Sequence, residues 1–342
     1  MKNKLLKYSA RYKLFFAICI LMLGISCNQS NTNTSTNTST ITPKEVAVPQ
    51  TFSGDSAFVY TKKQVDFGPR IPNSSAHEKC AIWIVDELKQ YMDTVIVQEY
   101  KSRGYDGKIL NGKNIIGSIN PKKGNRILLS SHWDTRPWAD QDSVRKNEPI
   151  DGANDGASGV GTLIEIARQL AISKPDLGVD IVLFDLEDYG QPENSGLPEN
   201  EDSYCLGTQY WAKNLHVPNY FAKFGILLDM TGATNATFTQ EGTSRQYASE
   251  IVDKVWKAGN TAGYGQYFLS DKTGSIIDDH YYINGLASMK VVDIIHYDFN
   301  TRSHFWKHWH THGDTIDKID PNTLKAVGQT LMQVLYEELA SS

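Results

Sequence analysis

The chain has 342 residues, of which 40% are hydrophobic and 21% charged, with a formal net charge of −5. Such a length supports one large core or two modest ones. With no Lys/Arg block outside the extreme N-terminus, there is no electrostatic footprint for nucleic acid, which is not expected as a partner.

Lys2, Lys4, Lys7, Arg11 and Lys13 form a basic region. The apolar run Leu14 to Leu23 is too short to cross a bilayer comfortably, and Gly24-Ile25-Ser26-Cys27 follows it. Residues 1–27 resemble a bacterial lipoprotein signal, which implies cleavage before Cys27 and lipidation of its thiol. The expectation is an exported monomer, lipid-anchored at Cys27 to a bacterial membrane and facing the periplasm. A plain secretory signal or an uncleaved anchor is the alternative. Residues 28–50, rich in Asn, Thr and Ser, have no periodic apolar face and are expected to be a disordered tether.

Residues 51–342 are expected to form a single α/β catalytic domain. Ser53 is placed to cap a helix bearing Phe58, Val59, Val65 and Phe67, which stops at Gly68-Pro69. Ser75-Ala76-His77-Glu78 has the form of a capping box, and Ile82, Val85, Leu88 and Met92 follow at helical spacing. Strands are expected at Thr94 to Tyr100, Asn114 to Ile119 and Arg126 to Ser131. A helix face at Val160, Leu163, Ile164, Ala167 and Leu170 comes next, then a buried strand at Val179 to Phe184 and a helix at Leu206 to Leu215. A strand at Phe224 to Leu228, a helix at Arg245 to Ala258, a strand at Met289 to Ile295 and a helix after Asp320-Pro321 complete the pattern. This alternation implies a three-layer αβα fold with a mixed, largely parallel central sheet.

Polar and acidic residues recur where strands end. His132 follows Ile127-Leu128-Leu129, Asp155 opens a helix, Glu187-Asp188 follow a buried strand, and Asp229 ends the next one. In an open α/β sheet those positions share one crevice. A lone carboxylate there is usually a cap or a solvated loop residue, but several at equivalent positions point to a metal or a hydrogen-bond network. His308-Trp309-His310-Thr311-His312 alternates, so an extended backbone would turn three imidazoles to one face. Spacing alone does not choose among them; two carboxylates with one imidazole suit zinc. Cys80 and Cys205 could form one disulfide in an oxidising compartment, and two separate buried thiols is the plainer reading.

His132-x-Asp134, Asp155-Gly156-Ala157-Ser158-Gly159, Glu187-Asp188, Asp229 and Trp309-His310-Thr311 with Asp314-Thr315 resemble the ordered motifs of zinc-dependent aminopeptidases. Within that superfamily the chain more closely resembles the animal-type glutaminyl cyclases and their bacterial relatives. The closer likeness lies in Phe67-Gly68-Pro69-Arg70-Ile71-Pro72, His132-Trp133-Asp134-Thr135-Arg136-Pro137, Leu228-Asp229-Met230-Thr231-Gly232 and Asp278-Asp279-His280.

The resemblance implies one Zn2+ per chain, held by Asp155, Asp188 and His310. It implies Glu187 as general acid/base, Asp229 and Asp278 as a hydrogen-bonded catalytic pair near the leaving group, and a substrate pocket that includes Trp309, His132 and Trp133. The implied reaction converts N-terminal glutaminyl residues of peptides or proteins to pyroglutamyl with release of ammonia. Two readings compete with it. One is a two-zinc aminopeptidase in which His132 and Asp229 bind a second ion, and the other is a non-catalytic peptidase-like binding module. Cyclases also tend to carry a pocket tryptophan soon after the acid pair. Gln191 to Asp202 contains none, so Tyr189 or Trp138 is expected to replace it.

Overall fold

The computed structural model describes residues 49–192 and 195–341. The expected signal at 1–27, with Cys27, and the expected tether as far as residue 48 lie outside the described residues. Helix α1 (Gly54–Val65) and helix α2 (Ser75–Leu88) lead into strands β1 (Thr94–Arg103), β2 (Ile109–Ile119) and β3 (Arg126–His132). Helix α3 (Ala157–Ser173), strand β4 (Gly178–Phe184), helix α4 (Leu206–Lys213) and strand β5 (Phe224–Asp229) follow. The remainder is β6 (Phe238–Gln240), α5 (Gly242–Thr261), β7 (Phe268–Lys272), α6 (Asp279–Ala287), β8 (Val291–Ile295) and α7 (Pro321–Ala340).

The main sheet has the order β1-β2-β4-β3-β5-β8. Strands β4, β3, β5 and β8 run parallel, while β1 and β2 add antiparallel pairs at one side. The parallel strands read as continuous apolar runs because both faces are covered. Alternation along β3 shows it: Ile127 and Leu129 join the core under α3 and α7, whereas Leu128 joins the core containing Trp211 of α4 and Ile283 of α6. This is the mixed three-layer arrangement expected. The short strands β6 and β7 form a separate parallel pair. They and α6 escape sequence reading because each is brief and lacks a sustained period.

Two helices turn differently from expectation. Helix α1 is capped by Ser53 as expected, yet Val59 is 61% exposed, and Ala57, Thr61 and Gln64 are the buried face. The cause is α3, whose Gly161 approaches so closely that a Cβ there would lie 2.7 Å from the Ala57 carbonyl oxygen. Only small side chains fit such a contact. In α2 the cap is Ser74, whose hydroxyl accepts from the His77 N–H, and Ile82 is 54% exposed while His77, Cys80, Ala81, Ile84 and Leu88 face inward. Cys80 and Cys205 are both free and buried, so the plainer reading of the cysteines holds.

Candidate active site

The carboxyl ends of β3, β4 and β5 deliver the site. His132 is the last residue of β3, Glu187 and Asp188 lie just past β4, and Asp229 ends β5. Asp155 precedes α3 on a loop whose shape depends on glycine. Gly156 has φ of 92°, and a Cβ there would meet the Asp134 carbonyl oxygen at 2.9 Å. Gly159 lets the helix start pass the strands, because its Cβ would fall 2.3 Å from Ser131 Oγ.

Two buried carboxylates hold the loops that carry the functional side chains. Asp314 accepts from the backbone N–H of Asn154 at 2.7 Å and of Asp155 at 3.0 Å. Asp134 accepts from Glu187 N at 3.1 Å and Asp188 N at 3.3 Å. Arg70, wholly buried, donates to the carbonyls of Asp151 and Gly152, closing the same loop from the other side. Leu186, Met230 and His310 all have positive φ (60°, 50° and 54°). Such conformations cost roughly 1–3 kcal/mol each and cluster where the surrounding structure must aim a functional group.

Asp155, Asp188 and His310 are brought together with donor atoms within 4.8 Å of one another. His310 Nε2 lies 3.1 Å from Asp188 Oδ1 and 3.7 Å from Asp155 Oδ2. All three are buried, and Asp155 Oδ2 and Asp188 Oδ2 have no hydrogen-bond partner. Orphaned buried carboxylate oxygens converging on an imidazole fit a zinc ion, and three protein ligands leave a fourth position open. Support continues outward. Asp140 Oδ1 lies 3.4 Å from His310 Nδ1 and is gripped by the Arg136 guanidinium, which also donates to the Asp188 carbonyl at 3.0 Å. This carboxylate behind the imidazole fixes its orientation. Arg136 stands in a motif singled out in the sequence, but its role and that of Asp140 were not legible there.

A second group, His132, Asp155 and Asp229, shares Asp155 with the first. His132 Nε2 lies 3.0 Å from Asp155 Oδ1 and 3.3 Å from Asp229 Oδ1. Glu187 faces the cavity with Asp278 and Cys205 close by. Burial pushes the Glu187 carboxyl well above the usual range; neighbouring Asp188, Asp278 and Asp279 add to the rise and His132 opposes it. Burial also lifts Asp229 to about 7, with Asp155 and Asp278 contributing and His132 opposing. A group that keeps its proton near neutrality can return it to a leaving group.

The cavity holds about 810 Å³ and is lined by Asp155, Glu187, Asp188, Asp229, Asp278, Trp309 and His310 among others. Trp309 stacks on His310 with ring centroids 3.8 Å apart.

Several expected placements need correction. Trp133 is 0% exposed and belongs to the core, stacked on His77 at 4.3 Å, so it lines no pocket. His132 is 1% exposed and sits behind the cavity wall, bonded to the carboxylates in front of it. Asp229 meets the His132 imidazole, and Asp278 also caps α6 by accepting from the Asp279 N–H. Tyr189 and Trp138 pack with Tyr105 away from the cavity, and Pro192, Leu197 and Tyr204 form that wall instead. The His308–His312 stretch is a series of turns, not a strand, so its imidazoles diverge; His312 pairs with Asp142 at 2.9 Å. His280 lies 3.1 Å from Glu241 and serves the packing of α6.

Known proteins resemble the chain in sequence and fold. The family model of peptidase family M28 matches residues 114–335. The crystal structure of Tannerella forsythia glutaminyl cyclase is 50% identical, with a TM-score of 0.82, covering 84% of this chain and 99% of that one. A structure described as a leucine aminopeptidase precursor from Bacteroides thetaiotaomicron is 49% identical, with a TM-score of 0.82, covering 85% of this chain and 99% of that one. The glutaminyl-peptide cyclotransferase of Bos taurus is 24% identical over 257 residues, 66% of each chain.

Proposed function

The chain belongs to peptidase family M28, and within it we propose that the protein is a zinc-dependent glutaminyl cyclase, releasing ammonia as it converts N-terminal glutaminyl residues of peptides or proteins to pyroglutamyl. One observation carries this reading. Glu187, a largely buried carboxyl whose proton affinity is raised, lines one cavity with the Asp155–Asp188–His310 group and the further acids Asp278 and Asp229.

Asp155, Asp188 and His310 would hold one zinc, which when bound supplies Lewis-acid polarisation of the substrate's γ-amide carbonyl. The substrate's own α-amine is the nucleophile. Its nitrogen bonds to the γ-carbon, the bond from that carbon to the amide nitrogen breaks, and ammonia leaves. Glu187 accepts the amine proton and returns one to the departing nitrogen, a shuttle worth about 10²- to 10⁴-fold. Trp309 offers an apolar wall against which the glutamine side chain folds back, and orientation of the two ends replaces an activated water. Asp278 and Asp229, whose proton affinity burial raises, line the same cavity.

The shared ligand Asp155 favours a second reading, in which His132 and Asp229 join it around another ion and the protein is a two-zinc aminopeptidase. Metal analysis separates the two: the cyclase reading expects one zinc per chain and ammonia from a Gln-initiated peptide. Two zinc ions with free leucine from a Leu-initiated peptide, and no ammonia, would replace it. The basic, apolar and cysteine-ending pattern of residues 1–27 supports an exported enzyme anchored at Cys27. Substituting Cys27→Ser should then move the protein from the membrane fraction to the soluble one.

A further inference from the structure

Cys205 has no place in the chemistry above, yet it touches Glu187 twice. Its backbone N–H donates to the Glu187 carbonyl at 2.9 Å, and the next residue, Leu206, donates to the Leu186 carbonyl at 3.0 Å. Its thiol lies 3.3 Å from Glu187 Oε1 as donor to acceptor. That thiol is the only hydrogen bond to the Glu187 carboxyl among the described residues. The neighbouring imidazole of His132 is 3.9 Å from Oε2, beyond hydrogen-bond range.

The backbone makes the contact by an unusual route. Cys205 has φ of 53° and ψ of 34°, a left-handed conformation immediately before α4. Nothing about helix capping requires it, since the Cys205 side chain makes no cap bond to α4. Conformations of this kind in a residue with a side chain carry strain and persist where neighbours enforce them.

We propose that Cys205 is a positioning residue for Glu187: its thiol pins Oε1 and so holds the carboxyl in one orientation at the cavity. A thiol suits this task. It is a weak donor, so it fixes the rotamer of the carboxyl while withdrawing little electron density from it. A hydroxyl in the same place would bind the carboxylate more strongly. Cys205 is fully buried, well placed to pack as a small apolar group while it donates.

The proposal rests on Glu187 being the proton carrier, which the cyclase and aminopeptidase readings share. The test is steady-state kinetics of full-length wild type, Cys205→Ala and Cys205→Ser on a Gln-initiated peptide, with zinc content and Tm measured alongside. Wild-type ammonia release, read first, tests the cyclase reading by itself. If only a Leu-initiated peptide is turned over, the same variant ratios are taken on that substrate. Cys205→Ala should lower kcat by about 10-fold to 100-fold, the scale of a misplaced catalytic group, with KM, zinc content and Tm close to wild type. Cys205→Ser, which keeps a donor, should recover most of kcat. If the alanine variant does not fold, Cys205→Gly accepts the left-handed backbone without strain and should show the same loss. Wild-type kcat in the alanine or glycine variant would overturn the proposal. So would a loss expressed in KM alone, or equal losses in the serine and alanine variants.

Discussion

Glu187 and Asp188 are adjacent in the chain and yet do different work, because the backbone turn after β4 sends one into the cavity and the other towards His310. Asp134 makes that division durable by accepting both of their N–H groups. Substituting Glu187→Gln keeps size and polarity but removes the transferable proton. It should lower kcat by about 10²- to 10⁴-fold while zinc content stays at the wild-type value; parallel loss of metal would mean that Glu187 is a ligand instead. Behind the ligands, Asp140 orients His310 and is itself fixed by Arg136. Asp140→Asn should weaken zinc binding by about 10- to 100-fold, measured by competition with a chelator, and an unchanged affinity would remove Asp140 from this role.

Among the elements, the contact of α1 with α3 sets how the first helix turns. An alanine at Gly161 would gain about 1 kcal/mol of helix propensity. Its Cβ, however, would press on the Ala57 carbonyl and the Thr61 backbone nitrogen, 2.7 and 2.9 Å away. Overpacking of this kind costs about 1–3 kcal/mol, so urea unfolding of Gly161→Ala should show a net loss of stability; a gain would mean that α1 yields easily. Helix α2 is tied to the end of β4 by His77, whose Nε2 lies 2.9 Å from Asp185 Oδ1. Burial alone would lower the His77 pKa, but Asp185 overrides it, helped by Asp134 and opposed by Lys113, and the net shift is upward.

The sign follows from that direction. The tie is fully present below the unfolded histidine pKa of about 6.5 and is lost as pH rises through the higher folded value. Wild type should therefore lose more stability than His77→Gln between neutral and alkaline pH, and identical slopes would contradict the tie. Both helices also show where sequence falls short. Their starts were legible to within a residue, because hydroxyl caps are local, whereas their ends fall two to four residues short of the expected apolar positions Phe67 and Met92. Which face turns inward was not legible, because a glycine on α3, about a hundred residues away, decides it for α1.

Over the whole molecule, the parallel core of the sheet was legible in the apolar runs Val179–Phe184 and Phe224–Leu228, and the strand ends then located the crevice. Asp155, Asp188 and His310 converge there although more than 150 positions separate the first from the last. What the motifs could not reveal was depth. His132 and Trp133 belong to the same stretch as the site but lie behind it, since β3 is central and its end is roofed by the loops it supports. The roles of Arg136, Asp140 and Cys205 were hidden for a similar reason, as each acts through a partner that only folding brings near. The cavity that results is acidic throughout, with seven carboxylate residues and no Lys or Arg among the described residues that line it. It suits a substrate that enters with a cationic α-amine. The most direct test of the central claim is ammonia release from a Gln-initiated peptide by the full chain, set beside free amino-acid release from a Leu-initiated one, before chelation, after it, and after zinc is returned. Ammonia release that stops on chelation and resumes with zinc, with no cleavage of the Leu-initiated peptide, is the predicted result. Cleavage of the Leu-initiated peptide without any ammonia from the other would contradict it.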